Sequence, residues 1–135
     1  MAINKFSEEI KSAQDWLYDG VTVPANTSTD STAKQVGGAQ GALELVFIAK
    51  TDIVITDTKV VSLKLQGATT IDGSYTDLVN LYSVTASGET TVTAGTELAR
   101  YIVKPSDPMF QKAVITTDDT LVVGAVDGYI RQIHR

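Results

Sequence analysis

Short runs of alternating apolar and polar residues, broken by turn chemistry, constrain this chain more than any other feature. Val61, Leu63 and Leu65 alternate with Ser62, Lys64 and Gln66, the period of a strand with one face in a core and one in water. Leu43, Leu45, Phe47 and Ala49 alternate with Glu44, Val46, Ile48 and Lys50. Both faces are partly apolar there, as in a strand covered on each side. Residues 78–85, 98–103, 110–117 and 121–126 repeat the theme and are rich in Val, Ile, Thr and Tyr, which suit a pleated, half-buried surface. Between the runs stand Gly20, Val36-Gly37-Gly38, Asp72-Gly73-Ser74, Ser87-Gly88, Ala94-Gly95, Pro105 with Pro108, Thr117-Asp118-Asp119 and Asp127-Gly128. All are turn signals. No run of good helix formers separates them, which excludes parallel βαβ units. Roughly six to nine short antiparallel strands close most economically as an all-β, two-sheet sandwich of immunoglobulin-like or jelly-roll connectivity.

The chain is long enough for this. Its 135 residues fit one domain, and a chain of this size buries about 70% of its unfolded surface. With 43% hydrophobic and 20% charged residues, whole-chain disorder is excluded. There is no cysteine, so a disulfide framework, a thiolate metal site and a cysteine nucleophile are all ruled out. Eleven basic against sixteen acidic residues give a net charge of −5. No basic stripe is present to neutralise phosphates, so no nucleic-acid partner is expected. The longest apolar run, 45–49, is far short of the ~20 residues that span a bilayer. No membrane association and no secretory leader are expected, since residues 1–15 carry Lys5, Glu8, Glu9, Lys11 and Asp15 without an apolar core.

The start of the chain reads differently. Ser7 followed by Glu8, Glu9 and Ile10 resembles a capped helix start, and Phe6, Ile10, Ala13 and Trp16 or Leu17 recur at helical spacing. The segment is short and polar, poor material for an isolated helix. Two readings stand: residues 1–18 form an arm or short helix ahead of a sandwich over 19–135, or Trp16 and Leu17 begin the first core strand.

Catalytic chemistry finds little support. His134 is the only histidine and sits beside the chain end, where a general base has no rigid partner. A Ser–His–Asp triad would have to use the same residue. Asp118 and Asp119 are adjacent, so on a strand they would face opposite sides; they read as a turn. Asp72 and Asp77 bracket a polar turn without the carboxylate series of a calcium loop. Gly37, Gly38 and Gly41 precede no helix, and no Lys-Ser or Lys-Thr follows. The expectation is no enzyme, no cofactor and no metal.

Several stretches taken in order carry a resemblance. They are Val61-Ser62-Leu63-Lys64-Leu65-Gln66, Asp72-Gly73-Ser74-Tyr75-Thr76-Asp77-Leu78, Thr93-Ala94-Gly95-Thr96-Glu97-Leu98-Ala99-Arg100-Tyr101-Ile102 and Gly124-Ala125-Val126-Asp127-Gly128-Tyr129-Ile130. Their order resembles the capsid cement, or decoration, proteins of tailed bacteriophages, similar to the Bordetella phage cement protein family, over roughly residues 36–130. That resemblance implies a jelly-roll sandwich made in the host cytoplasm and bound to the outer surface of the phage head. There it would bridge subunits of the major capsid protein, as a homo-oligomer (dimer or trimer). Candidate partner contacts are Phe6, Ile10 and Trp16 in an arm that orders on binding, with Tyr75 and Lys104 in loops, where a rigid scaffold commonly carries recognition. On the arm reading, deleting residues 1–17 is expected to leave the domain folded and weaken attachment. The rival readings are a carbohydrate- or cell-binding module built on its tyrosines, and another virion element such as a connector or tail component.

Overall fold

The computed structural model describes residues 16–36 and 43–132. Phe6, Ile10, Gly37, Gly38, Gly41 and His134 lie outside them. The described residues form strands joined by turns, with no helix among them. In chain order the strands are β1 (Trp16–Thr22), β2 (Ser28–Asp30), β3 (Lys34–Gln35), β4 (Leu43–Ala49), β5 (Ile53–Ile55) and β6 (Val60–Ala68). They continue as β7 (Thr76–Thr85), β8 (Thr90–Val92), β9 (Glu97–Ile102), β10 (Phe110–Thr117) and β11 (Ala125–Gln132).

One sheet runs β1-β11-β4-β9, the other β2-β10-β6-β7, with β3 also on β10; β5 and β8 form a small ribbon. Strands β2 and β3 pair with successive parts of β10, so they act as one interrupted strand. Leaving the ribbon aside, the eight strands in chain order lie 1-8-3-6 in one sheet and 2-7-4-5 in the other. That is the double Greek key of a jelly roll. The two connectivities left open by the sequence are thereby reduced to one.

The inward faces follow from the alternation. Leu45, Phe47 and Ala49 of β4 meet Val61, Leu63 and Leu65 of β6 and Ala113 and Ile115 of β10 in one buried cluster. A Cβ at Gly128 would lie 2.6 Å from the Phe47 ring, so β11 carries glycine where that ring crosses it.

The two sheets are also tied by a polar contact. Tyr18, on β1 of one sheet, is 1% exposed and projects through the core to the other. Its hydroxyl lies 2.6 Å from the Thr29 carbonyl and 3.1 Å from that of Ala113, and accepts from the Ile115 amide at 3.1 Å. Burial pushes this phenol well above its ordinary pKa. The Tyr18 ring meets Phe47 edge-on, centroids 6.4 Å apart.

Asp119 does similar work at one end. Its carboxylate accepts from the Thr56 amide (2.7 Å), the Thr56 hydroxyl (3.0 Å) and the Leu121 amide (2.8 Å). Burial disfavours its charge, but these hydrogen bonds outweigh that and hold its pKa below the usual carboxylate value. Asp118 turns elsewhere, accepting from the Val60 amide at 2.8 Å.

Two sequence expectations shift. The boundary expected at residue 18 falls inside β1, because Leu17 and Tyr18 are both buried in the sandwich. The strand expected over 121–126 instead begins at Ala125, since Gly124 at φ 130° breaks the extended run. Residues ahead of it form a connection that touches β5 through a Val54–Val123 bridge.

Tyr18→Phe strands a buried amide and carbonyl and is expected to cost about 1–3 kcal/mol, read from urea unfolding. The depressed Asp119 pKa adds stability that is present above the unfolded carboxylate pKa of about 4 and is lost as pH falls through the lower folded value. Asp119→Asn is therefore expected to lower stability at neutral pH and flatten the acid limb of a stability–pH profile.

Candidate interaction surfaces

The strand order sorts the main connections to two ends. The β3–β4, β6–β7 and β9–β10 connections leave at the end where β1 starts and β11 finishes. The β1–β2, β4–β5, β7–β8 and β10–β11 connections leave at the other.

Tyr75 and Lys104 share the first end. Tyr75 immediately precedes β7 and is half-buried. Its hydroxyl donates to the Ile71 carbonyl at 2.8 Å, and the Lys112 ammonium sits 4.7 Å from its ring centre, a cation–π distance. Lys104 is exposed on the β9–β10 connection. That connection is pinned, because Asp107 accepts from the Lys104 amide at 2.8 Å and from the Tyr101 hydroxyl at 2.6 Å. Burial first, then the neighbouring Asp107 carboxylate, pushes the Tyr101 phenol up to about 12. Pro108 packs against Gly67, so the two loops share a base. Both candidates are held on fixed loops.

Trp16 belongs to a sheet face. It opens β1, and its ring meets Tyr129 edge-on at 5.7 Å. Cutting after residue 17 would therefore remove Leu17, a core residue, so a truncation that spares the sandwich must end before Trp16.

Reasoning from sequence missed the most exposed apolar side chains. At the first end these are Ile71 (52% exposed), Ile102 (54%) and Met109 (38%); at the other, Leu121 (72%) and Val123 (54%). Val123 is bridged to Val54, whose strand neighbours Ile53 and Ile55 point into the core. An apolar Ile71 beside Asp72-Gly73 was a readable signal. Leu121 and Val123 were hidden by assignment to a strand.

The two outer sheet faces differ. On the β2-β10-β6-β7 sheet, Lys64 pairs with Asp77 at 3.0 Å and Lys112 with Asp30 at 2.8 Å. Hydrogen bonds from Gln66 and Lys64 hold Asp77 below its ordinary pKa. On the other sheet, Val46 and Tyr129 point away from the core yet are only 1% and 6% exposed. Beside them Glu44 accepts from Arg100 at 3.0 Å and from Arg131 through both its Nε and Nη2. Arg100 also grips Glu97, whose pKa that hydrogen bond lowers. Among the described residues no group of three His, Cys, Asp or Glu is placed to hold a metal ion, and no helix is long and apolar enough to cross a membrane.

No family model and no curated protein matches the chain. Among solved structures it is similar to the VP2 subviral particle of infectious bursal disease virus, at 10% identity over 88% of this chain and 32% of that one, TM-score 0.46. It is also similar to a pentameric capsid protein isolated from metagenomic phage sequences, at 14% identity over 93% and 67% of the two chains, TM-score 0.30. A third is the CBM22-1-GH10 module pair of Clostridium thermocellum xylanase 10B, at 12% identity over 90% and 27%, TM-score 0.42. Viral capsid proteins thus stand among its structural neighbours. The chain spans about a third of the VP2 length, and at these identities the likeness goes no further than the fold.

The Glu44 lattice gives a measurable expectation. Its two arginine side chains are 41% and 38% exposed, so water can take over when the carboxylate is lost. Glu44→Gln is expected to cost about 1 kcal/mol, as for exposed pairs, rather than the ~3–5 kcal/mol of a fully buried one. Thermal unfolding checks this.

Proposed function

We propose that this chain is a virion structural protein that binds the outside of a tailed-phage head and bridges major capsid subunits to stabilise the shell. The observation that carries the reading is the pair of apolar ends. Bridging needs two contact areas that point apart on a body too stiff to fold onto itself. Ile71, Ile102 and Met109 at one end, and Leu121 and Val123 at the other, lie exposed on a tightly packed jelly roll. The resemblance carried by the central and C-terminal stretches agrees with this role. On this reading the chain has no catalytic task and no cofactor, and it acts as a dimer or trimer on the outer capsid surface.

The glycan-binding alternative has less to stand on. A sugar platform needs exposed, flat aromatic faces, and each of the five tyrosines is buried or half-buried.

Purified protein mixed with expanded, undecorated heads is expected to add stoichiometric density to their exterior in electron micrographs. Heads that stay bare at saturating protein would defeat the proposal. Ile71→Asp combined with Lys104→Glu is expected to weaken attachment roughly tenfold or more, since a lost 1.4 kcal/mol is tenfold, while thermal unfolding stays unchanged. Removing residues 1–15 tests the arm: intact folding with reduced attachment supports its contact role, and undiminished attachment removes it.

A further inference from the structure

The turn between β6 and β7 places two exposed residues, Asp72 and Gly73, in a chemically labile order. The Gly73 amide closes the turn on the Thr70 carbonyl at 3.0 Å. A Cβ at position 73 would stand 2.6 Å from the Thr70 hydroxyl oxygen and 3.2 Å from the Thr70 carbonyl oxygen, so glycine fits the turn without displacing the Thr70 hydroxyl. The missing side chain has a chemical consequence. An amide nitrogen following an aspartate can attack the aspartate side-chain carbonyl, and a side chain on the attacking residue hinders the approach. Glycine removes the hindrance. Among the described residues the Asp72 carboxylate has neither a hydrogen bond nor an ion pair to hold it away.

We propose that Asp72–Gly73 is a site of spontaneous isoaspartate formation in the folded protein. The Gly73 nitrogen bonds to the Asp72 side-chain carbon. The amide proton and a protonated carboxyl oxygen leave as water, giving a five-membered succinimide. Water then adds to one of its two carbonyls. Opening at one restores aspartate; opening at the other routes the backbone through the side-chain carbon. No oxidant or partner is consumed, and mass and charge are unchanged. The isomer lengthens the main chain by one carbon between Ile71 and Tyr75, the two residues joined by the Tyr75 hydroxyl. The site is independent of the function proposed above.

The chain carries its own control. Asp127 and Gly128 repeat the dipeptide inside β11, where Gly128 pairs with Phe47 on one side and Tyr18 on the other. The Asp127 carboxylate is held by the Gly20 amide at 2.7 Å. Attack there requires opening a core strand. Attack at Gly73 requires opening one turn hydrogen bond, a local event.

The test is incubation of the native protein in heavy-oxygen water near neutral pH, followed by digestion and mass spectrometry. The peptide containing Asp72 is expected to gain label and isoaspartate. The peptide containing Asp127 is expected to react slower by roughly a thousandfold or more, the rarity of global opening. In urea both sites are expected to react alike, and Asp72→Glu removes the first signal. A folded protein unlabelled at Asp72 while its urea-unfolded form reacts there, or equal labelling at both sites in the folded state, overturns the proposal.

Discussion

A sandwich without disulfides must keep two sheets in register by packing alone or by a contact that crosses the core, and here Tyr18 crosses it. Its strand is the edge of one sheet, and its hydroxyl enters the ladder between β2 and β10 of the other. The geometry fixes more than one pair of atoms. Phe47 packs edge-on against the Tyr18 ring and lies over Gly128, so β1, β11 and β4 are seated by the same two rings. A shift of β1 by one residue would turn Tyr18 outward and strand the amide of Ile115. Tyr18 therefore ties register to sheet-to-sheet closure, on top of the apolar core that the two sheets share.

With the interior fixed, polarity is sorted between faces and ends. The β2-β10-β6-β7 sheet presents ion pairs and amides to water, where each pair is worth little to stability. The opposite sheet carries Val46 and Tyr129 under cover, beside a carboxylate shared by two guanidinium groups. Charges on that face are spent on one another. The large apolar side chains left exposed lie at the strand ends and loops, where the fold does not need them.

Most of the longer strands were legible because alternation is a property of six or more residues; β11 was expected too early, over 121–126, and runs Ala125–Gln132. Strands β4, β6, β7, β9 and β10 fall where period two placed them. Strand β1 was not legible. Its register shifts between Trp16 and Tyr18, so Leu17 and Tyr18 are buried side by side and the strand lacks a clean alternation. Strands β2, β3, β5 and β8 are two or three residues long, too short to show any period. Of the site candidates, Tyr75 and Lys104 were nominated through turn chemistry, which survives in sequence because it is local, and both stand in connections between strands. The sharing of one end by their loops depends on Pro108 meeting Gly67 and on strand order, and no local pattern encodes that.

If the chain binds as proposed, energetics would require it to act in numbers. Covering a half-exposed Ile or Met side chain contributes about 1 kcal/mol, half the value for full burial. Three of them at one end contribute about 3 kcal/mol, whereas micromolar affinity needs about 8. A single copy holding by these side chains alone would fall off. Linking copies, or repeating one site over a closed shell, raises the effective concentration of each further contact without any new chemistry. A stiff body makes that gain available, because contacts at its two ends are then made without ordering a flexible chain between them. On the proposed reading, the core built around Tyr18 and Phe47 is what lets two weak ends act together.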